Sequence, residues 1–364
     1  MFKKILVIKL RHIGDVLLTT PVFTALKENF KDSFVSVLVN KGTEAVLEKN
    51  PFIDEIITFD RSLKSYGALK KFAQELNFLK EIRKRGFDTT IDLTGGDRAA
   101  VISFMSGAKL RIGIKSKGFA GKKYFYTHLF EIDGKKHTVL QNLEVLTKFG
   151  IEVKSRKVLL NVSEEEKEWA KKLIPYKKIV HIHPTSRWLF KCWKDEYMAE
   201  IIKWFIEKGF VVILTSAPAE KEMKKIDSIM SFLKPSEQLI NLAGKLTLRQ
   251  LIAVSSISDL FFGIDTAPMH IGGALGIRVF ALFGPSGAFH WGPWDNETSQ
   301  EPYLERNGIQ RFGKNIVIQR NWNCIPCGQD GCEGSKISKC LFDIKPEEVI
   351  EIISSVLSPV KYMI

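Results

Sequence analysis

Of 364 residues only five are cysteine, and four of these crowd into one short stretch near the C-terminus. A disulfide framework spread across a secreted domain is thereby excluded. No run reaches the roughly 18 uninterrupted apolar residues that a membrane-spanning helix needs. The opening Met1-Phe2-Lys3-Lys4 and the apolar run over 5–8 imitate a signal peptide. Lys9 and Arg11 break that run, and no small-residue cleavage site follows, so it reads as a buried first strand of a cytoplasmic protein. No Asp-x-Asp occurs, which removes a common metal–diphosphate motif, and no Gly-x-Gly-x-x-Gly follows a strand, which disfavours a Rossmann dehydrogenase. Disorder is excluded by a 45% hydrophobic and 26% charged composition. What the chain has in excess is positive charge: 54 Lys+Arg against 41 Asp+Glu, a formal +13. That excess calls for an acidic partner, whether nucleic acid, anionic membrane or phosphorylated substrate.

The length predicts two domains. In the first half, short apolar runs over 5–8, 34–39, 55–59 and 87–93 alternate with helical patterns over 16–27, 43–49 and 65–85. The chain becomes charged around 152–176 and meets Pro175, and then the alternation restarts. Strands are expected over 178–183, 211–215, 260–264 and 279–283, with a short extended piece at 239–242. Helices are expected over 195–208, 220–232, 248–256, 268–275 and 346–357. Such alternation implies parallel βαβ units with right-handed crossovers, an α/β class. The predicted division is 1–170, 171–345 and a C-terminal helix over 346–364 that packs back towards the first domain. Doubly wound sheets bind ligands outside the carboxyl ends of their strands, so the strand-end loops deserve the closest reading.

The first strand runs into Lys9-Leu-Arg-His-Ile-Gly-Asp-Val16. Gly14 permits a tight turn, and Asp15 falls where a helix begins. It reads either as an N-cap or as a carboxylate able to take a proton from a substrate hydroxyl. In the second half Gly263-Ile-Asp-Thr-Ala-Pro-Met-His270 repeats the theme: Thr266 can cap, Pro268 suits a first helical turn, and His270 lies one turn in. The amides of that turn make a phosphate receptor, although Asp265 could equally be only a cap. Gly272-Gly273 lets the helix lie close to a neighbour. The loop 183–193 (HPTSRWLFKCW) combines hydroxyls and cations, which suits a phosphate-rich ligand. His181 and His183 share one strand face; a metal pair is conceivable there, and packed histidines are the favoured reading. Phe283-Gly-Pro-Ser-Gly287, with Gly284 and Ser286, is a turn that brings backbone close to a ligand.

Taken in order, KLRHIGDVLLTTP (9–21), HPTSRW…KCW (183–193), LAGKLTL (242–248), IDTAPMH (264–270) and FGPS…WGP (283–293) resemble the bacterial lipopolysaccharide heptosyltransferases, glycosyltransferase family nine. The match spans most of residues 5–345, and the SRW…KxW form with the C-terminal cysteines is most similar to the heptosyltransferase III-type branch. The resemblance implies the GT-B fold, two Rossmann-like doubly wound domains facing a central cleft. The first would bind a lipopolysaccharide core acceptor and the second ADP-heptose, in an inverting reaction that requires no cofactor. Asp15 then corresponds to the general base, with Arg11, His12 and Gly14 on the acceptor side. Lys191 corresponds to the lysine that stabilises the departing diphosphate, Thr185 and Ser186 to a hydroxyl pair at the phosphates, and Glu220 to an acidic residue on the ribose. Leu246 stands near the nucleobase, Asp265 at the heptose hydroxyls, Thr266 and Ala267 at the phosphate turn, and His270 beside them. Gly284 and Ser286 complete the donor side.

Two features stand outside this assignment. Cys324, Cys327, Cys332 and Cys340 have the number and closeness of a structural zinc site, with reduced packing cysteines and disulfides as the other readings. Between Lys109 and Lys136 lie eight Lys/Arg and two acidic residues, with Tyr124, Phe125 and Tyr126 interleaved. That segment reads as a surface for a phosphorylated inner-core sugar or for the anionic inner membrane. Aromatic and basic residues together also suit single strands of nucleic acid, but nucleic acid leaves the strand-end motifs unexplained and is not expected as a partner.

Overall fold

A computed structural model describes residues 1–61 and 68–357. It divides into two compact units, Met1–Asn161 and Val162–Ile364. The first is a six-stranded sheet of β1 (Lys4–Lys9), β2 (Phe34–Asn40), β3 (Glu55–Phe59), β4 (Thr89–Asp92), β5 (Leu110–Ile114) and β6 (His128–Phe130). The strand order is β3-β2-β1-β4-β5-β6, and every pairing is parallel. Parallel strands covered on both faces read as unbroken apolar runs, and Ile5 to Ile8 of β1 are wholly buried.

The second sheet uses β7 (Ile179–His183), β8 (Val211–Leu214), β9 (Leu239–Asn241), β10 (Leu260–Ile264), β11 (Arg278–Leu282), β12 (Gln310–Phe312) and β13 (Asn315–Ile318). Its order is β12-β13-β11-β10-β7-β8-β9, with only the β12–β13 pair antiparallel. Both sheets reverse their strand order once, between β1 and β4 in the first and between β7 and β10 in the second. Those switch points are where such sheets leave a crevice for ligands.

Several elements depart from the sequence expectation. The helix expected over 16–27 is two, Ile13–Leu17 and Thr20–Asn29, because Pro21 restarts it. The helix expected over 43–49 shrinks to a single 3-10 turn, Glu44–Val46. The first turn of the helix expected from residue 65 lies outside the described residues, and the helix runs over Ala68–Lys84. The expected boundary at 170/171 also differs from the observed one. A capping box of Ser163 and Glu166 starts the helix Glu164–Leu173, whose Ala170 packs with Ile179, Ile213 and Val254 of the second unit. Glu166 pairs there with Arg249 at 2.5 Å. The helix Pro346–Leu357 likewise buries Val349 and Ile353 in the second unit's core, alongside the helix Asp195–Glu207; residues 358–364 lie outside the described residues. Gly273 serves as expected: a Cβ there would stand 2.7 Å from the carbonyl oxygen of Trp294.

Candidate active site

In the first unit, β1 ends at Lys9 and the chain turns directly into the helix Ile13–Leu17 at the switch point. His12 is the N-cap residue, so Asp15 stands in the first turn and is not the cap. Its half-buried carboxylate accepts no hydrogen bond and enters no ion pair among the described residues. The loop carrying it is stitched down: Arg11 donates to the Thr94 carbonyl at 2.8 Å, and Leu10 N–H donates to Thr94 Oγ1 at 2.8 Å. Gly14 is buried, while Arg11 and His12 are exposed. Beneath the loop, Lys9 is buried and donates to the Leu93 carbonyl (3.0 Å) and to Asn142 Oδ1 (2.9 Å). Burial lowers its pKa to about 8, and Asp15 is the strongest of the charges that oppose this. At the end of β4, Asp92 is buried and its pKa is raised by burial, against the hydroxyl of Tyr126, which donates to it at 2.6 Å. Lys9 and the Asp92–Tyr126 pair are positions whose roles the sequence did not announce; the only signal was a charged residue closing an apolar strand.

In the second unit, the loops after β7 and β10 flank the other switch point and carry most of the expected donor-side residues. Lys191, in the 3-10 turn Leu189–Lys191, meets Asp265 at 2.5 Å, with the two side chains only 16% and 8% exposed. The loop is held by Ser338, which donates to the Phe190 carbonyl at 2.6 Å, and by Trp193, which donates to the Ile344 carbonyl at 3.1 Å. Thr266 caps the helix Ala267–Ala274 from extended backbone and makes no side-chain cap bond. Pro268 has no N–H and Met269 N–H donates to the Thr266 carbonyl at 3.1 Å, so the amides of Thr266 and Ala267 are the ones left for a ligand. His270 is buried one turn into that helix. Ser186 accepts the Trp188 N–H at 3.2 Å, which leaves its own proton to donate. Thr185 is fully buried, and its hydroxyl donates to Glu222 at 2.7 Å. Glu220 points to solvent, its side chain 79% exposed and paired with Lys224. Glu222, two residues on and buried, is the carboxylate that reaches the β7 loop, a position the sequence reading missed. Leu246 is half-buried against the cluster around Ile179 and Val254. Gln319 donates to the carbonyls of Gly284 and Ser286, both at 2.7 Å, and so fixes the turn after β11.

The histidine pair is packing. His181 and His183 both contact Thr215 Oγ1 (2.7 and 2.8 Å), and Ser255 contacts His181 at 2.8 Å. Burial pushes both pKa values down to about 3, so both rings stay neutral. The structural zinc expected at the cysteines is not supported. Among the described residues no group of three or more His, Cys, Asp or Glu side chains is placed to hold a metal. Cys324 and Cys327 lie exposed in a loop, Cys340 is buried, and all four thiols are free. Cys332 accepts the Lys339 N–H at 3.4 Å, and burial pushes the Cys340 thiol up to about 11.

Comparison with known proteins decides among the enzymes that such a pair of sites could serve. The family model for glycosyltransferase family 9 (heptosyltransferase) matches residues 76–312. The chain belongs to that family. It is 31% identical over 299 residues to lipopolysaccharide heptosyltransferase 3 of Escherichia coli K12, covering 80% of this chain and 85% of that relative, which places it with the III-type branch. Among solved structures it is similar to a family 9 glycosyl transferase from Veillonella parvula (TM-score 0.79, 22% identity, 98% and 97% covered). It is also similar to the ADP-heptose lipopolysaccharide heptosyltransferase II of E. coli (TM-score 0.76, 20% identity, 97% and 98% covered). The fold is GT-B, two Rossmann-like parallel-sheet domains, and the chain is a glycosyltransferase. No helix among the described residues is long and apolar enough to cross a membrane.

Proposed function

We propose that this heptosyltransferase-family enzyme moves a heptose from ADP-heptose to a hydroxyl of the lipopolysaccharide inner core, with inversion at the sugar carbon. The carrying observation is the ion pair of Lys191 with Asp265 beside a helix start whose Thr266 and Ala267 amides make no hydrogen bond among the described residues, at the switch point of the second unit. The lipopolysaccharide heptosyltransferase 3 of E. coli, 31% identical, supports the core acceptor. In this reading Asp15 removes the acceptor proton as the oxygen attacks the anomeric carbon. The bond from that carbon to the diphosphate oxygen breaks on the opposite face, and ADP leaves. Negative charge grows on the diphosphate, and Lys191 with the amides of Thr266 and Ala267 offsets it without a metal or other cofactor. Asp265 grips the heptose hydroxyls, and Ser186 donates to a phosphate.

The enzyme works at the cytoplasmic face of the inner membrane, where a lipid-anchored acceptor is met. Phe119 and Tyr124, exposed in the basic segment Lys109–Lys136, would meet the headgroup region there. Nucleic acid has no part in this account. Asp15→Asn tests the base: transfer should fall by about 10²–10⁴-fold while ADP binding stays within two-fold. Near-wild-type turnover in that variant would remove Asp15 from the reaction.

A further inference from the structure

The loop after β5 closes a pocket of about 330 Å³ at the carboxyl rim of the first sheet. Lys115, Ser116, Lys117, Lys122, Lys123 and Tyr126 help to line it, and no carboxylate does. The wall is built rather than incidental. Lys122 is 6% exposed, and its ammonium donates to the Gly95 carbonyl (2.6 Å), Ser116 Oγ (2.8 Å) and the Lys117 carbonyl (3.2 Å). Asp97 Oδ1 lies 3.5 Å from it, and the buried Asp92 carboxylate, bonded to Tyr126, interacts with it from behind the pocket. Gly118 is what lets the loop close: a Cβ there would stand 2.1 Å from Asp97 Oδ1 and 2.7 Å from Lys122 Cδ. Lys117 and Lys123 are exposed at the mouth and pair with no carboxylate among the described residues. Lys115 reaches only Glu131, at 3.4 Å on the surface. Four like charges around a concave space raise the local concentration of an anion strongly.

The place of the pocket says which anion. In the sheet order β1-β4-β5 it opens two strands from the loop that carries Asp15, about 10 Å along the same rim at the usual strand spacing. That is the reach of a sugar adjoining the one whose hydroxyl Asp15 would deprotonate. We propose that this pocket binds a phosphate group borne by the acceptor on a neighbouring core sugar, so that the enzyme selects a phosphorylated core. This rests on the heptosyltransferase reading above. Lys117 and Lys123 meet the phosphate oxygens with charge-assisted hydrogen bonds, and the pinned Lys122 adds a fixed positive charge behind them.

The test is a calorimetric titration of the full-length protein with deacylated core oligosaccharide, prepared with and without its phosphate. Removing the phosphate should weaken wild-type binding about ten-fold or more. Lys117→Ala/Lys123→Ala should lose a similar factor on the phosphorylated ligand and stay within two-fold of wild type on the dephosphorylated one. Equal wild-type affinity for the two ligands, or an equal loss on both in the variant, overturns the proposal. A parallel sedimentation arm uses phosphatidylglycerol vesicles. If the variant loses vesicle binding while both proteins ignore the soluble phosphate, the lysines serve lipid headgroups and the proposal is wrong. The titration reads binding alone, so it decides the pocket's role even if no heptose moves. Transfer measured on the same oligosaccharides tests the heptosyltransferase reading separately.

Discussion

Replacing Lys191 by methionine should damage stability and catalysis for different reasons, and the two losses should separate. The ammonium lies 2.5 Å from Asp265, with both side chains largely withdrawn from water. Methionine keeps the stem but leaves the Asp265 carboxylate unpaired in a site 8% exposed. Breaking a buried pair costs roughly 3–5 kcal/mol, and the residual exposure puts this one near the lower end, about 3 kcal/mol. For a unit of this size that is a drop of about 6–12 °C in the midpoint of the second unit's thermal transition. Adding Asp265→Asn removes the orphaned charge, so Lys191→Met/Asp265→Asn should regain most of the lost stability, with a coupling energy of about 2 kcal/mol. Catalysis should not follow. Transfer should fall by about 10²–10³-fold in the single variant and at least as far in the double one, because the charge opposite the leaving diphosphate is gone in both. Calorimetric melting beside initial rates of ADP release reads both quantities. A single variant as stable as wild type would refute the buried-pair argument. A double variant that regains transfer would refute the role given to Lys191.

Stability should also depend on acid through the packed histidines. His181 and His183 titrate near 6.5 in the unfolded chain but only at about 3 in the fold, because of burial. Between those values the unfolded chain binds more protons, so stability is complete above pH 6.5 and is lost as pH falls towards 3. At pH 5 the loss is about 2 kcal/mol per histidine, and His181→Gln/His183→Gln should flatten the slope of thermal midpoint against pH. An unchanged slope in that variant would mean that neither ring is held neutral. At the neighbouring loop, Glu222→Ala should raise the KM for ADP-heptose about five- to ten-fold by releasing Thr185, and Glu222→Gln, which can still accept its hydrogen bond, should restore most of it. Equal effects from both substitutions would show that the carboxylate does something other than orient Thr185.

Much of the site was legible because switch-point chemistry is local. A strand that ends in a glycine turn and a carboxylate, or in Asp-Thr-Ala-Pro, announces the element boundary, and Asp15 in a first helical turn and Asp265 just after β10 stand at the strand ends those motifs mark. What the sequence hid depends on side chains meeting over long separations. Lys9 reaches Asn142 across 133 positions, and Thr185 reaches Glu222 across 37, so neither partner could be read from its neighbours. Glu220 and Glu222 share one helical turn, and which of them is buried against the β7 loop is set by packing that pattern alone does not show. In the fold, β5, β6 and the helices Asp97–Met105 and Thr138–Phe149 were not expected. β5 carries Arg111 and Gly113 inside its run and β6 is three residues long, so tertiary packing supplies what periodicity lacks there. The cysteines are a different case: closeness in sequence fits four thiolates round a metal, but among the described residues no group of three or more His, Cys, Asp or Glu is placed to hold one, and Cys340 is buried while Cys324 and Cys327 are exposed.

The most direct test is the reaction itself. The full-length protein is incubated with ADP-heptose and a truncated inner-core acceptor, and the product is analysed by mass and by NMR of the new anomeric centre. One heptose should be added, with the anomeric configuration opposite to that of the donor, and ADP should be released in equal amount. Retention of the donor's configuration, or transfer from a uridine-linked sugar in preference to ADP-heptose, would contradict the account.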